Sequence, residues 1–193
     1  MTDNYVHQVL GLPLLDLETE LKKLFDCGRI EWKPRPRTQL CVNTTKEDPG
    51  NIHLGAGSLT HDWHRSYQDD AGKLVVPDKK IILRERDFNI IAEPFVGTLF
   101  EEVYLALEQR YYLGRVRIMN LLQKTCLSWH TDTHQRLHYP ITTDEGCFML
   151  IENSVHYLEK YKWYMTETRK KHTAINSSPH ERLHLVATII DEK

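Results

Sequence analysis

The run RLHLVATII at residues 182–190 has the length and the apolar, β-branched composition of a buried strand. Similar segments precede it. Polar and apolar residues alternate at the start of residues 115–122, as they do in a half-buried strand. Residues 136–141 and 147–151 also predict strands, and residues 142–146 predict the turn between them. Several short strands in succession favour a mainly β fold, an antiparallel sandwich or barrel.

The N-terminal half has a different pattern. Leucines recur at helical spacing over residues 14–26, which predicts an amphipathic helix ending near Cys27-Gly28. A second helix is predicted over residues 95–110, where large apolar residues repeat every four positions. Proline and glycine between them indicate loops, with short strand pieces expected at residues 39–42, 75–77 and 80–83. We therefore expect flanking helices packed outside a β core.

Composition narrows the class of protein. The 25 Lys and Arg against 27 Asp and Glu give a net charge of −2, which argues against a nucleic-acid partner. With 40% hydrophobic residues the chain can bury a core, but no apolar run reaches the ~20 residues that span a bilayer. The first residues lack the features of a secretory signal. These observations predict a soluble, cytoplasmic protein without a membrane partner, and leave the oligomeric state open.

Histidine is unusually clustered, since seven of the 11 histidines lie between residues 130 and 184. In a strand, His130 and Asp132 would present an imidazole and a carboxylate on one face. His172 follows 40 residues after Asp132. Two histidines and one carboxylate are the facial triad of non-haem Fe(II) oxygenases, which leaves metal positions open for a co-substrate and O₂. Affinity alone does not exclude Mn, Co or Zn.

Cationic residues accompany these candidate ligands. Arg182 follows His172 by ten residues, and Arg136 and His138 share one strand face. A buried arginine requires an anion, and its planar fork matches a carboxylate. A metal with two separate cationic anchors suits a ligand that carries a carboxylate at each end.

Three quoted segments carry a family resemblance: HTDTHQRLHYPI (130–141), GCFM (146–149) and HTAINSSPHERLHLVATI (172–189). They resemble the aspartyl/asparaginyl β-hydroxylase group of Fe(II)/2-oxoglutarate-dependent oxygenases, over roughly residues 113–190. The resemblance implies a double-stranded β-helix (jelly-roll, cupin-like) core. It also implies that His130 and His172 bind iron, that Arg182 binds the distal carboxylate of 2-oxoglutarate, and that Arg136 and His138 contact its metal-proximal carboxylate.

One position departs from the family pattern. Asp132 stands where the best-known branch has glycine, and it restores the full triad of the wider superfamily, including the related proline hydroxylases. The implied cofactors are Fe(II), the co-substrate 2-oxoglutarate, and O₂. The implied reaction is hydroxylation of an unactivated C–H, on an amino acid or on an Asp-, Asn- or Pro-like residue of a peptide or protein. Halogenation is disfavoured because Asp132 fills the position that a halide needs.

Two alternatives remain for the function. The first is a non-catalytic cupin-like module that binds a metal or a ligand, although such a module needs no pair of anchors spaced for a dicarboxylate. The second is a helical zinc site built from His130, His134 and His138, which the predicted strand ending at Pro140 disfavours. Outside the helical zinc site, His134 is expected in a loop, or beside Asp132 facing the surroundings of the metal.

The remaining expectations concern single residues and one segment. Arg117 is expected in solvent, and Asn176 is expected to hold a turn rather than contact substrate. His184 is expected either to line the pocket or to be a satisfied core histidine. The aromatic and basic segment 154–171 is expected to be a lid over the site or an exposed hairpin. The histidines of residues 61–64 match no ligand pattern.

The whole chain, 1–193, is predicted as one domain, with residues 1–112 packing on the core formed by 113–190.

Overall fold

The structure is a computed structural model that describes residues 4–33, 38–62 and 65–193, so Trp63 and His64 lie outside it. The helices are α1 (Leu17–Asp26) and α2 (Leu99–Arg110). The strands are β1 (Val6–Val9), β2 (Gln39–Cys41), β3 (Asn43–Thr44), β4 (Tyr67–Gln68), β5 (Leu74–Val75), β6 (Ile90–Ile91), β7 (Tyr111–Leu121), β8 (Thr125–Cys126), β9 (Gln135–Thr142), β10 (Cys147–Ile151), β11 (Ser154–His156), β12 (Trp163–Thr166), β13 (His172–Asn176) and β14 (Arg182–Glu192).

The larger sheet has six strands in the order β1-β12-β9-β14-β7-β2, and all neighbouring pairs are antiparallel. Side chains alternate between its faces. One face is apolar, with Val116, Ile118, Leu185 and Ala187 packed in the main core together with the buried residues of both helices. The other face carries the intervening positions, which include Arg115, Arg117, Arg136, His138, Arg182 and His184.

The smaller sheet has the order β11-β10-β13-β8 and is also antiparallel. It lies over the polar face of the larger sheet, and side chains from both sheets line the space between them. The two sheets are the two halves of a double-stranded β-helix, as predicted. Two short pairs, β3 with β6 and β4 with β5, lie outside these sheets.

Both predicted helices are present, but each starts later than predicted. Helix α1 begins at Leu17 because the side chain of Asp16 caps it, accepting a hydrogen bond from the amide of Thr19 at 3.1 Å. Helix α2 begins after the cap Thr98. Upstream of it, Phe95 ends a separate 3₁₀ turn and Gly97 has a φ of 74°, which interrupts the helical path.

Two strand-level expectations are wrong. Residues 80–83 form no strand among the described residues, and Ile81 and Ile82 are 73% and 67% exposed.

The segment 154–171 is neither a lid nor an exposed hairpin, because it contributes β11 to one sheet and β12 to the other. Trp163 of β12 is fully buried, and its indole N–H donates to the carbonyl of Pro13 at 2.8 Å. Strand β1, which has no counterpart among the sequence predictions, pairs with β12 and completes that edge.

Neither α1 nor α2 is long and apolar enough to cross a membrane, and no other helix among the described residues is.

Candidate functional site

His130 and His172 face each other in a single antiparallel bridge. The amide of His130 donates to the carbonyl of His172 at 3.0 Å, and the amide of His172 donates back at 2.8 Å. Residues paired in this way send their side chains to the same face, and the two imidazole centroids are 4.3 Å apart. Residues 130–132 do not form a continuous strand, because only this bridge forms before β9 begins at Gln135.

Both imidazoles are held in the same tautomer. His130 Nδ1 lies 2.8 Å from the carbonyl oxygen of Ser128, and His172 Nδ1 lies 2.9 Å from that of Lys170. Since a carbonyl only accepts, each Nδ1 carries the proton and each Nε2 keeps its lone pair. Burial also lowers the pKa of His172, which favours the neutral ring. This is the arrangement by which proteins orient histidine ligands of a metal.

Asp132 reaches the imidazoles from the loop before β9. Its carboxylate accepts two hydrogen bonds from Arg136, from Nε to Oδ2 and from Nη2 to Oδ1, both at 3.0 Å. Asp132 Oδ2 also lies 3.7 Å from His172 Nε2. Burial alone would raise the pKa of Asp132, but the charge and hydrogen bonds of Arg136 outweigh it and hold that pKa below its ordinary value. The carboxylate is therefore ionised at neutral pH.

These three side chains form a group that fits a metal ion. One ligand atom each from His130, Asp132 and His172 lies within 4.8 Å of the other two. Two imidazole nitrogens and one carboxylate oxygen on one side of an ion are the donor set typical of non-haem Fe(II). The orientation of both rings by backbone carbonyls, and the ionised carboxylate, meet the protonation states that metal binding requires.

The same three side chains line a cavity of about 890 Å³ between the two sheets. Arg182 also lines this cavity and is only 5% exposed. Among the described residues, nothing forms a hydrogen bond or ion pair with its guanidinium. Burial lowers the pKa of Arg182 to about 10. A buried guanidinium without a counter-charge is costly, so the cavity is suited to receive an anion there.

The rings of His138 and His184 meet edge to face, with centroids 5.7 Å apart. Their Nδ1 atoms are 3.4 Å apart, and the Nε2 of each is buried without a partner among the described residues. Burial, followed by the charge of Arg182, holds the pKa of each histidine well below its ordinary value. His138 lines the cavity and His184 does not. His184 is therefore a core histidine, as one of the two expectations had it, but its unpartnered Nε2 means that it is not the satisfied one expected.

Arg136 lines the cavity too, but most of its donors are already used. Besides the two bonds to Asp132, its Nη1 donates to the hydroxyl of Thr188. One N–H on each terminal nitrogen is left over. Arg136 therefore first orients Asp132, a role that the sequence did not predict, and only its remaining hydrogens can face a co-substrate.

The structure decides two smaller questions. The helical zinc site is wrong because His138 lies on strand β9, and His134 lies in the preceding loop, as expected. Asn176 holds a turn, as expected, since its amide donates to the carbonyls of Leu121 at 2.9 Å and His180 at 2.8 Å.

The prediction for Arg117 is wrong. The sequence predicts Arg117 in solvent, but it is 5% exposed and lines the cavity. The signal was present in the sequence, because Val116 and Ile118 are core residues and alternation then sends Arg117 to the opposite face of β7. In a jelly roll that opposite face is the interior of the barrel.

Comparison with known proteins adds to this geometry. The family model described as aspartyl/asparaginyl beta-hydroxylase matches residues 60–191. The chain belongs to this family. Membership makes the protein an oxygenase of the hydroxylase type and confirms the resemblance drawn from the sequence. No curated protein sequence matches the chain.

Two solved structures are similar in fold. An oxidoreductase of the 2OG-Fe(II) oxygenase family from Burkholderia pseudomallei has a TM-score of 0.55 at 11% identity, covering 96% of this chain and 84% of its own. A cupin domain from Bordetella pertussis Tohama I has a TM-score of 0.36 at 18% identity, covering 42% of this chain and 83% of its own. The first of these likenesses supports the jelly-roll fold and only the fold.

Proposed function

We propose that this member of the family is an Fe(II)- and 2-oxoglutarate-dependent dioxygenase that hydroxylates an unactivated C–H of an amino acid, free or within a peptide or protein. One observation carries the proposal. The group formed by His130, Asp132 and His172 shares a cavity with the buried, unpaired guanidinium of Arg182. A metal site beside an isolated cation fits a co-substrate that chelates through one end and carries a carboxylate at the other.

Each residue then has a role. His130, Asp132 and His172 hold the iron, and Arg182 binds the distal carboxylate of 2-oxoglutarate. His138 offers its unpaired Nε2 to the metal-proximal carboxylate, where Arg136 can add its remaining N–H groups. Iron with bound 2-oxoglutarate supplies the activation of O₂, coupled to decarboxylation of the keto acid to succinate and CO₂. The protein orients both ligands and excludes bulk water from them.

Succinate formation tests this proposal. Purified protein with Fe(II), 2-oxoglutarate and O₂ should release succinate slowly even without a second substrate, by uncoupled turnover. Arg182→Gln should raise the KM for 2-oxoglutarate by about 30-fold or more, because truncating one partner of a buried charge pair commonly has such an effect. The affinity of the Arg182→Gln variant for the metal should be the same as that of the wild type.

The matched control is Arg110→Gln, which makes the same chemical change on the helical side of the sheet. Arg110 is exposed and donates to the carbonyl of Leu10, far from the cavity. Wild-type protein that binds both Fe(II) and 2-oxoglutarate but releases no succinate would point to a non-catalytic binding module. An unchanged KM in Arg182→Gln would reject the assignment of Arg182.

A further inference from the structure

Strand β7 places two arginines on the cavity face, and the first of them is fully satisfied. Arg115 Nη2 binds Glu85 Oε1 at 2.8 Å, and its Nη1 donates to the carbonyls of Gly55 and Gly57, both at 2.7 Å. The carboxylate of Glu85 also accepts from the amide of Arg115 at 2.9 Å. Arg115 and Glu85 thus form a closed ion pair that fixes the loop at residues 55–57 to the sheet.

Arg117 lacks such partners. It is as buried as Arg115, at 5% exposure, but its one hydrogen bond among the described residues runs from Nη1 to Gln39 Oε1 at 3.0 Å. Its Nε is buried without a partner. Gln39 Oε1 also accepts from the amide of Gly57 at 3.1 Å, so the group that holds Nη1 is itself fixed. The edge formed by Nε and Nη2 is left for a ligand.

The charges that line the cavity do not balance. Four arginines face two carboxylates within the described residues, and both carboxylates, Glu85 and Asp132, are already paired with Arg115 and Arg136. The guanidiniums left without a counter-charge are those of Arg117 and Arg182. An arginine keeps its proton, and a buried charge is costly unless it is paired. Each of these two cations is therefore suited to bind an anion from outside the chain.

In the proposed function the two carboxylates of 2-oxoglutarate are placed at Arg182 and at His138 with Arg136, so neither is assigned to Arg117. Arg117 pairs with Val186 across the sheet, and Arg182 lies four residues before Val186 on β14, about 13 Å away along the strand. After burial, the charges that lower the pKa of Arg117 are those of Arg115 and Arg136, which places Arg117 on the Arg136 side of the cavity. On the sheet, Val186 separates Arg117 from His138.

We infer that Arg117 binds a carboxylate of the substrate that is hydroxylated, and so selects amino acids or peptides that carry one near the reacting carbon. The inference rests on the proposed function, because it takes Arg182 as the anchor for 2-oxoglutarate. The free Nε and Nη2 edge matches the two oxygens of a carboxylate. The carboxylate belongs either to a free amino acid or to an acidic side chain within a peptide.

Matched acid and amide probes test this inference and separate the two sources. Protein loaded with Mn(II) and saturating 2-oxoglutarate is titrated by calorimetry, so that the site at Arg182 is filled and no turnover occurs. The first pair is L-proline and L-prolinamide. The second pair is N-acetyl-aspartate N-methylamide and its asparagine counterpart. In at least one pair the acid should bind wild-type protein about tenfold or more tightly than the amide.

Variants at position 117 should weaken the preference for the acid, and Arg117→Gln should weaken it more than Arg117→Lys. Arg117→Gln should abolish the preference for the acid, and Arg117→Lys, which keeps the charge but lacks the planar fork, should retain part of it. Arg110→Gln should behave as wild type. Equal binding of acid and amide by the wild type in both pairs would overturn the inference. This comparison uses only wild-type protein, so it does not depend on whether a variant folds. A preference that survives in Arg117→Gln would overturn it too.

The two proposals fail in different ways. If the wild type forms no succinate but still prefers an acid over its amide, the oxygenase proposal fails and Arg117 is left as a carboxylate-binding residue of a non-catalytic site. If succinate forms while acid and amide bind alike, the oxygenase proposal stands and the assignment of Arg117 fails.

Discussion

The ion pair between Asp132 and Arg136 controls the geometry of the candidate metal site at the scale of single residues. Both oxygens of Asp132 accept from one guanidinium, at 3.0 Å each, which fixes the plane of the carboxylate beside the two imidazoles. The same contact keeps the carboxylate ionised. Arg136 is in turn held by the hydroxyl of Thr188 on β14. The site is thus anchored to the central strands of the larger sheet.

Replacing Arg136 tests this role. Arg136→Gln should weaken Mn(II) binding by about 10- to 100-fold, since loss of a partner that orients a ligand commonly has this effect. Arg136→Lys should recover only part of the affinity, because a single ammonium does not bind both oxygens in one plane. Titration of Mn(II) into metal-free protein, followed by electron paramagnetic resonance, measures the free ion. Equal affinity in wild type and Arg136→Gln would show that Asp132 needs no such support.

The candidate ligands could be predicted from the sequence at this scale, while their partners could not. His130, Asp132 and His172 followed from the spacing of the residue types that bind Fe(II), and the structure brings them together. The pairing of Arg136 with Asp132 depends on the path of a four-residue loop, which spacing alone does not determine. Arg117 was misjudged because charged residues are usually exposed, although strand alternation placed it on the interior face.

At the scale of elements, strand β12 joins the N-terminal segment to the catalytic core. It lies between β1 and β9 in the larger sheet, and its Trp163 packs in the main core against Tyr139 with ring centroids 4.7 Å apart. The indole N–H donates to Pro13 just before α1. Strand β12 is therefore part of the structural core, in contrast to the lid or exposed hairpin predicted for segment 154–171.

Truncation of Trp163 tests this structural role. Trp163→Ala should lower the free energy of unfolding by about 3–5 kcal/mol, the usual loss for a buried aromatic side chain. In a chain of this size that corresponds to a fall in Tm of roughly 6–20 °C. Tyr157→Ala, at a 44% exposed position of the same segment, is the control and should change stability by less than about 0.5 kcal/mol. Similar melting of both variants would contradict the assignment of β12 to the core.

Strands with a regular hydrophobic pattern could be predicted from the sequence. Strands whose burial depends on a partner strand far away in the chain could not. Strands β9, β10 and β14 appear close to their predicted bounds, because each has a continuous apolar or alternating pattern. Strand β12 is only four residues long and follows a polar, lysine-rich stretch, so its burial depends on β1 from the other end of the chain. Residues 80–83 show the reverse case, since their apolar run forms no strand within the part of the chain that the structure describes.

At the scale of the whole molecule, the interior of the β-helix contains neutral histidines that resist protonation. The pKa values of His138 and His184 in the folded protein lie well below the ~6.5 expected for the unfolded chain. As the pH falls below about 6.5, the unfolded chain takes up protons that the folded protein does not. The contribution of these two histidines to the free energy of unfolding is therefore complete above that pH and is lost as the pH falls below it. Asp132 has the lowered pKa of a paired carboxylate, and its contribution is lost only below about pH 4.

Urea denaturation of metal-free protein between pH 8 and pH 5.5 measures this effect. The free energy of unfolding should be flat above about pH 7 and should then fall by about 1.4 kcal/mol per pH unit for each such proton, so by about 2.7 for His138 and His184 together. His172 and His156, whose pKa values are also lowered, add to this slope. His184→Gln should make the slope shallower by about one proton. A free energy of unfolding that is constant down to pH 5.5 would contradict the burial of the His138 and His184 rings as neutral groups.

The central claim is that His130, Asp132 and His172 hold an iron to which 2-oxoglutarate binds, and an anaerobic absorbance titration tests it most directly. Chelation of Fe(II) by the keto acid gives a weak visible charge-transfer band. Wild-type protein should develop this band as 2-oxoglutarate is added to the Fe(II)-loaded protein, with saturation at one equivalent. Asp132→Ala should lose the band or show it only weakly. Wild-type protein that binds Fe(II) but develops no band with 2-oxoglutarate would contradict the claim.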